Sequence, residues 1–165
     1  AEFEAQLAET SSGSKSLERL GLENGKLIMQ EAVEKADIAS ILMQDYQLVE
    51  MLSRLKKNLP LFLITSNGKR AGISKLKALG LDPQLFELKI FGDSPYNRED
   101  GSVFRYVSKQ LVVEFEEILF VGDRENTDIL PAKSLGIKTA IVNAKSEHAD
   151  YNLKTIYDLD SILSK

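Results

Sequence analysis

Apolar side chains recur three, four and seven positions apart through the first third of the chain, then gather into short unbroken runs through the rest. Up to about Asn58, positions such as Ile41, Leu48, Met51, Leu52 and Leu55 trace one face of a helix, and no segment reads as a strand. Ser11 to Ser16, small and polar with Gly13, predicts a flexible turn between helices, and Asp45 is placed to cap the helix that carries Tyr46 to Lys57. Beyond Asn58 the pattern changes. Pro60 to Thr65 is a short apolar run closed by Ser66-Asn67-Gly68, and Lys69 to Leu79 then has helical spacing and stops at Gly80, a natural residue for the position just past a helix. The same alternation predicts a strand at Leu88 to Phe91 with a helix at Ser102 to Leu111, and a strand at Ile118 to Val121 with a helix at Thr127 to Leu135. It ends with a strand at Thr139 to Val142 and a helix near Asp158 to Ser164. Strands that alternate with helices need crossover connections, so the expected fold is α/β: a parallel sheet with helices on both faces, preceded by helices.

Composition narrows the chemistry. With 165 residues, 43% apolar and 28% charged, the chain falls in the range of one ordinary globular domain with a real core. It has no cysteine and a single histidine, His148, which excludes disulfide frameworks, thiol chemistry and the usual zinc ligand sets. The formal net charge of −4 comes without a basic block, which argues against nucleic acid or an anionic membrane as the main partner. The longest strongly apolar run, Leu59 to Ile64, is interrupted by Pro60 and is far short of the roughly 20 residues that span a bilayer. A cytoplasmic protein is the expectation, and an oxygen-coordinated divalent cation stays open.

In open parallel sheets, ligands bind beyond the carboxyl ends of the strands, and those positions are polar here. Thr65-Ser66-Asn67-Gly68, Gly92-Asp93-Ser94 and the segment from Gly122 to Asp128 are expected to meet at one rim. Asp123 directly after a buried strand, with Asp128 five residues on, brings two carboxylates to one strand end, and hard cations such as Mg²⁺ take such oxygens. A second reading of the pair, as turn and helix-start residues, is open from spacing alone. Thr127 is placed to cap the helix that follows, with Pro131 tolerated in its first turn.

The segments LFLITSNG (61–68) and VGDRENTDILPAKSLGIKTAIV (121–142) resemble the second and fourth motifs of the haloacid dehalogenase (HAD) superfamily. The resemblance runs from about Leu48 to the C-terminus and implies a three-layer Rossmann-like core. Residues 46–165 would form this core without its first strand, and residues 1–45 a helical segment, part of an α-helical cap. It implies that Ser66 hydrogen-bonds a transferring phosphoryl group with Asn67 arranging the turn, that Asp123 holds Mg²⁺, and that Asp128 supports that carboxylate or a metal-bound water. Where the family usually has a lysine before a helix, this sequence has Arg98, whose planar fork is not equivalent to an ammonium. Lys109 is the fallback cation.

The departure lies at the front of the chain. Family phosphatases carry a nucleophilic Asp in a DxD motif at the end of the first strand, and no such strand precedes Ser66. The DxD at Asp158-Leu159-Asp160 follows a segment too polar for a central strand, so Asp158 reads as a helix cap. The family's first strand is central, so its absence predicts neighbours with unpaired backbone groups, and an N-terminal segment ahead of Ala1 is expected to supply both strand and nucleophile. The expected activity is Mg²⁺-dependent hydrolysis of a small phosphorylated metabolite through an aspartyl-phosphate, with residues 1–165 inactive by themselves. The alternative is a non-catalytic binding or regulatory protein on the same fold.

Overall fold

The computed structural model describes residues 2–10, 13–36 and 38–163. The chain begins with α1 (Glu2–Thr10), α2 (Gly13–Arg19) and α3 (Gly25–Lys35), followed by a 3₁₀ turn at Ile38–Ile41 and α4 (Tyr46–Leu55). Strands and helices then alternate: β1 (Phe62–Ile64), α5 (Lys69–Ala78), β2 (Leu88–Ile90), α6 (Ser102–Leu111), β3 (Leu119–Gly122), α7 (Leu130–Lys133), β4 (Lys138–Val142), β5 (Tyr151–Leu153) and α8 (Leu159–Leu163). The caps follow from local chemistry. Asp45 Oδ1 accepts the Leu48 N–H at 2.9 Å at the start of α4, as its side chain predicts. Gly80 takes φ 80° just past α5, a left-handed conformation that a side chain resists.

Two compact units result. The first contains Ala1–Gln44, Thr65–Leu81 and Phe91–Asp93, and in it α2 packs on both α1 and α3, and α5 on the 3₁₀ turn. The turn expected over Ser11 to Ser16 is instead helical from Gly13, and Ser16 is fully buried, while Ser11 and Ser12 lie outside the described residues. A small hydroxyl tolerates a close helix contact as well as a loop, so polarity alone misplaces that boundary.

The second unit, Asp45–Ile64, Asp82–Ile90 and Ser94–Lys165, holds every strand among the described residues. β1 pairs with β2, and separately β3 pairs with β4 and β4 with β5, all in parallel, so the strands fall into two sheets of two and three. Alternate residues of β3 enter two cores. Phe120 joins Val103, Phe104 and Val107 of α6, with Ile90, Ile118, Ala132 and Ile137, while Leu119 and Val121 pack with Met51 of α4, Ala140, Leu153 and Leu159. The three-stranded sheet is thereby covered on both faces, as the near-continuous apolar β4 demands. Phe62, Ile64 and Leu88 of the smaller sheet pack on the same α6 core. Burial differs along the strands in a telling way. The last four residues of β4, flanked on both sides, are buried, whereas Phe62, Leu63 and Ile64 of β1 and Leu119 and Val121 of β3 are only half-buried despite being fully apolar.

Two further expectations change. The helix expected from a Thr127 cap starts earlier, as a π-helical turn at Glu125–Ile129 that runs into α7 with Pro131 in its first turn. Asp158 does not cap α8. Its Oδ2 accepts the N–H groups of Lys154 and Thr155 in a 3₁₀ turn, Ile156–Asp158, that precedes α8. The sequence pattern passes over β5 because Tyr151 and Asn152 are exposed and only Leu153 is buried, as befits an edge strand.

Candidate active site

β3 ends at Gly122, and the backbone of Asp123 and Arg124 turns sharply there around the side chain of Asp128. Asp128 Oδ2 accepts the Asp123 N–H at 3.2 Å and the Arg124 N–H at 3.1 Å, and Oδ1 accepts the Arg98 guanidinium at 2.5 Å and the Thr127 hydroxyl at 3.4 Å. The carboxylate is 1% exposed. Such close wrapping requires Gly122: a Cβ at that position would lie 2.5 Å from the Asp128 Cβ. Burial pushes the Asp128 carboxyl above its ordinary range, and the Arg98 charge and the two backbone N–H groups pull against that push. Arg98 reaches this place from a loop stitched by its own polar side chains. Asn97 Oδ1 accepts the Glu99 N–H at 2.9 Å, Asp100 Oδ1 the Ser102 N–H at 2.8 Å, and the Ser102 hydroxyl the Asn97 N–H at 2.8 Å.

Asp123 differs from its partner. It is exposed, and no contact among the described residues occupies its carboxylate. Two acids five residues apart thus do different things: one is free, and the other is locked into the fold with a counter-charge.

Of the five residues picked from sequence, Arg98, Asp123 and Asp128 belong to the second unit and come together there, while Ser66 and Asn67 belong to the first. Ser66 is exposed in the turn that follows β1. Asn67 is held firmly: Nδ2 donates to Thr65 Oγ1 at 2.9 Å, Oδ1 accepts from Lys75 Nζ at 3.0 Å, and its carbonyl accepts the Gly92 N–H at 2.8 Å. The turn carrying Ser66 is therefore shaped by its neighbours on both sides. Lys109 is exposed on α6, and Asp160 of the DxD sequence pairs with Arg54.

Neither Glu125 nor His148 is among the site residues expected from the sequence. Glu125 Oε1 accepts the Ser146 hydroxyl at 2.5 Å and lies 2.8 Å from His148 Nδ1. The Ser146 hydroxyl, and after it the His148 ring, holds the Glu125 carboxyl below its usual range. Its partners stand more than twenty residues away in a polar stretch with no periodic pattern, so the only signal open to inspection was the polar richness of two strand-terminal loops.

A hard cation such as Mg²⁺ is commonly held by one or two carboxylates, with waters and substrate oxygens completing its shell. The donor set fits that description on one side: Asp123 offers free oxygens, and Asp128, with both oxygens engaged, fixes the Asp123 backbone. No group of three or more acidic or histidine side chains able to enclose a metal gathers among the described residues.

Parallel strands layered between helices, with two carboxylates and an arginine gathered beyond the end of β3, define a Rossmann-like core. Residues 13–142 match the haloacid dehalogenase-like hydrolases, and the chain belongs to that family. It is 28% identical over 153 residues to a glyceraldehyde 3-phosphate phosphatase of Methanocaldococcus jannaschii, a match covering 87% of this chain and 67% of the relative. It is 33% identical over 102 residues to phosphoglycolate phosphatase 1 of Pseudomonas aeruginosa, covering 61% of this chain and 37% of the relative. The chain therefore spans about two thirds of the first relative and under half of the second. Among solved structures, a HAD phosphatase from Thermococcus onnurineus superposes with a TM-score of 0.67 at 24% identity, over 97% of this chain and 76% of that one. A magnesium-bound HAD-hydrolase from Bacillus subtilis gives 0.65 at 21% identity, over 92% and 69%. These likenesses establish the fold. No helix among the described residues is long and apolar enough to cross a membrane.

Proposed function

We propose that this chain forms the larger part of a Mg²⁺-dependent phosphomonoester hydrolase acting on a small phosphorylated metabolite. The observation that carries the reading is the division of labour at the end of β3. The Asp123 carboxylate is free, and its backbone is fixed by a buried Asp128 that Arg98 neutralises. The names of the two curated relatives support the substrate class, since both are phosphatases of small phosphorylated acids or aldehydes. When bound, Mg²⁺ supplies positive charge against the phosphoryl oxygens. Asp123 would hold it, Asp128 keeps Asp123 in place through the backbone, and Arg98 balances the Asp128 charge while its remaining N–H groups stay available to an anion. Ser66 donates to the phosphoryl group and Asn67 sets that turn, roles carried over from the resemblance of the LFLITSNG segment.

The same reading assigns the nucleophilic Asp to a strand that this chain does not contain. Support comes from the split into two sheets: β1 and β3 are apolar, each pairs on one side only among the described residues, and both are less buried than β4. An inserted parallel strand would satisfy their free N–H and C=O groups and bury those side chains. The helices ahead of α4 are assigned to part of a cap in this reading. The test is phosphate release with Mg²⁺ from a panel that includes phosphoglycolate and glyceraldehyde 3-phosphate, using residues 1–165 alone and the protein extended by its encoded upstream sequence. Turnover only in the longer protein, abolished by Asp123→Ala, is the expected result. An extended protein inert toward the whole panel overturns the reading, and retained ligand binding in Asp123→Ala would then favour a non-catalytic role.

A further inference from the structure

The turn at Glu125–Ile129 is π-helical, and it carries Asp128. Arg124 O accepts both the Asp128 N–H at 3.0 Å and the Ile129 N–H at 3.2 Å, and Glu125 O accepts the Leu130 N–H. A π turn holds one residue more than the α register it interrupts, so a loosened turn relaxes toward α geometry and rotates the residues within it by about 100°. Asp128 would then withdraw Oδ2 from the Asp123 and Arg124 N–H groups. Something must hold the first residue of the turn in place.

That residue is Glu125, and its side chain is anchored from the far edge of the sheet. Asn152 of β5 grips Ser146 on both backbone groups: Oδ1 accepts the Ser146 N–H at 2.7 Å and Nδ2 donates to the Ser146 carbonyl at 3.0 Å. The Ser146 hydroxyl accepts two N–H groups, from His148 at 3.0 Å and Ala149 at 3.2 Å. Both acceptor sites of that hydroxyl are thereby used, so its single proton points to Glu125 Oε1, 2.5 Å away. Ser146 is itself 7% exposed, so the hydroxyl that joins these groups is shielded from solvent. The His148 ring adds a second contact to the same oxygen.

We propose that Asn152, Ser146 and Glu125 form a brace that holds the π turn in register, making Glu125 and Ser146 positioning residues for Asp123 and Asp128. The consequence for catalysis rests on the function proposed above, whereas the structural claim does not. The line of force runs from β5, paired to β4 at Ile141 and Asn152, through Ser146 and Glu125 into the turn, and from Asp128 to the backbone of Asp123. It links two strand-terminal loops that are distant in sequence.

The test uses Glu125→Ala, Glu125→Gln and Ser146→Ala in the full-length protein, with amide hydrogen exchange read at Asp123 and Arg124 by NMR. Those amides are expected to exchange about tenfold faster in the two alanine variants and near the wild-type rate in Glu125→Gln, whose amide oxygen still accepts from Ser146. As the chain's one histidine, His148 gives a second reading at alkaline pH: its ring should carry the proton on Nδ1 in wild type and move toward Nε2 in Glu125→Ala. In turnover, kcat should fall about tenfold with KM unchanged and recover in Glu125→Gln. Unchanged exchange at Asp123 and Arg124 in the alanine variants overturns the brace, as does faster exchange spread evenly over the chain, which marks a merely global effect. If the wild-type protein shows no phosphatase activity, the proposed function fails while the exchange rates still decide the brace.

Discussion

Gly122→Ala is the sharpest perturbation that the site allows. Gly122 does not occupy the left-handed region, so a side chain there brings no backbone strain, and the whole effect comes from contact. The added Cβ would lie 2.5 Å from Asp128 Cβ and 2.8 Å from its Cγ and Oδ2. Asp128 Cβ is one bond from the π-helical backbone and the side chain is buried, so it has nowhere to swing. Forcing extra volume into packed space costs about 1–3 kcal/mol. If Asp128 yields instead, hydrogen bonds to its charged oxygen are lost, each worth roughly 1.5–3 kcal/mol. The narrower unfolded ensemble of alanine returns about 0.4–1 kcal/mol. A net destabilisation of about 2–4 kcal/mol follows, or roughly 5–15 °C in Tm for a chain of this size. Urea or thermal denaturation measures it, and repeating the change in an Asp128→Gly background isolates its cause. With the opposing Cβ gone, Gly122→Ala should cost less than about 1 kcal/mol, giving a coupling energy within the range seen for touching residues. Equal cost in both backgrounds, or a Gly122→Ala protein within about 0.5 kcal/mol of wild type, would refute the reasoning.

Val112 ends α6 at φ 54° and is 89% exposed, so a β-branched residue occupies a left-handed position without packing to hold it there. Val112→Gly should stabilise by roughly 1 kcal/mol, the relief of left-handed strain outweighing the extra freedom of glycine in the unfolded chain, and an unchanged or lower Tm would contradict this. Asp150 pairs with Lys133 and accepts from the Thr139 N–H at 2.8 Å and hydroxyl at 3.1 Å, and Lys133 first, then these bonds, hold its carboxyl below the usual range. A depressed acid stabilises the fold fully above its unfolded value of about 3.9 and loses that contribution as pH falls through the folded value. Tm measured between about pH 2 and 6 should therefore fall less steeply below pH 4 in Asp150→Asn than in wild type, and parallel curves would count against the assignment.

Much of the fold was legible in one dimension because its signals are local. Asp45 capping α4, Gly80 closing α5 and the span of α6 each depend on residues within a few positions of one another. The order of strands and helices was readable for the same reason, since each apolar run is bounded by its own turn residues. The two carboxylates were legible as a pair because five residues separate them on one loop. Their different fates were not. Whether an acid is free or enclosed depends on what packs over it, and Arg98 arrives thirty residues earlier in the chain. The shift from a Thr127 cap to a π turn was invisible for a related reason: one additional residue in the register is stabilised by Ser146 and Asn152, whose side chains have no periodic pattern to betray them.

By itself, the amino-acid order determined most of the helices and strands between Tyr46 and Val142, the parallel α/β class, and the acids and glycine that mark the end of β3. These are consequences of short-range sterics, hydrogen-bonding competition and the separation of apolar from polar faces. Tertiary structure alone decided that Asp128 is sealed and Asp123 open, that Glu125 is tied to Ser146 and His148, and that the strands fall into two sheets. Burial, counter-charge and pairing are properties of neighbours in space, and a carboxylate acquires its chemistry from them.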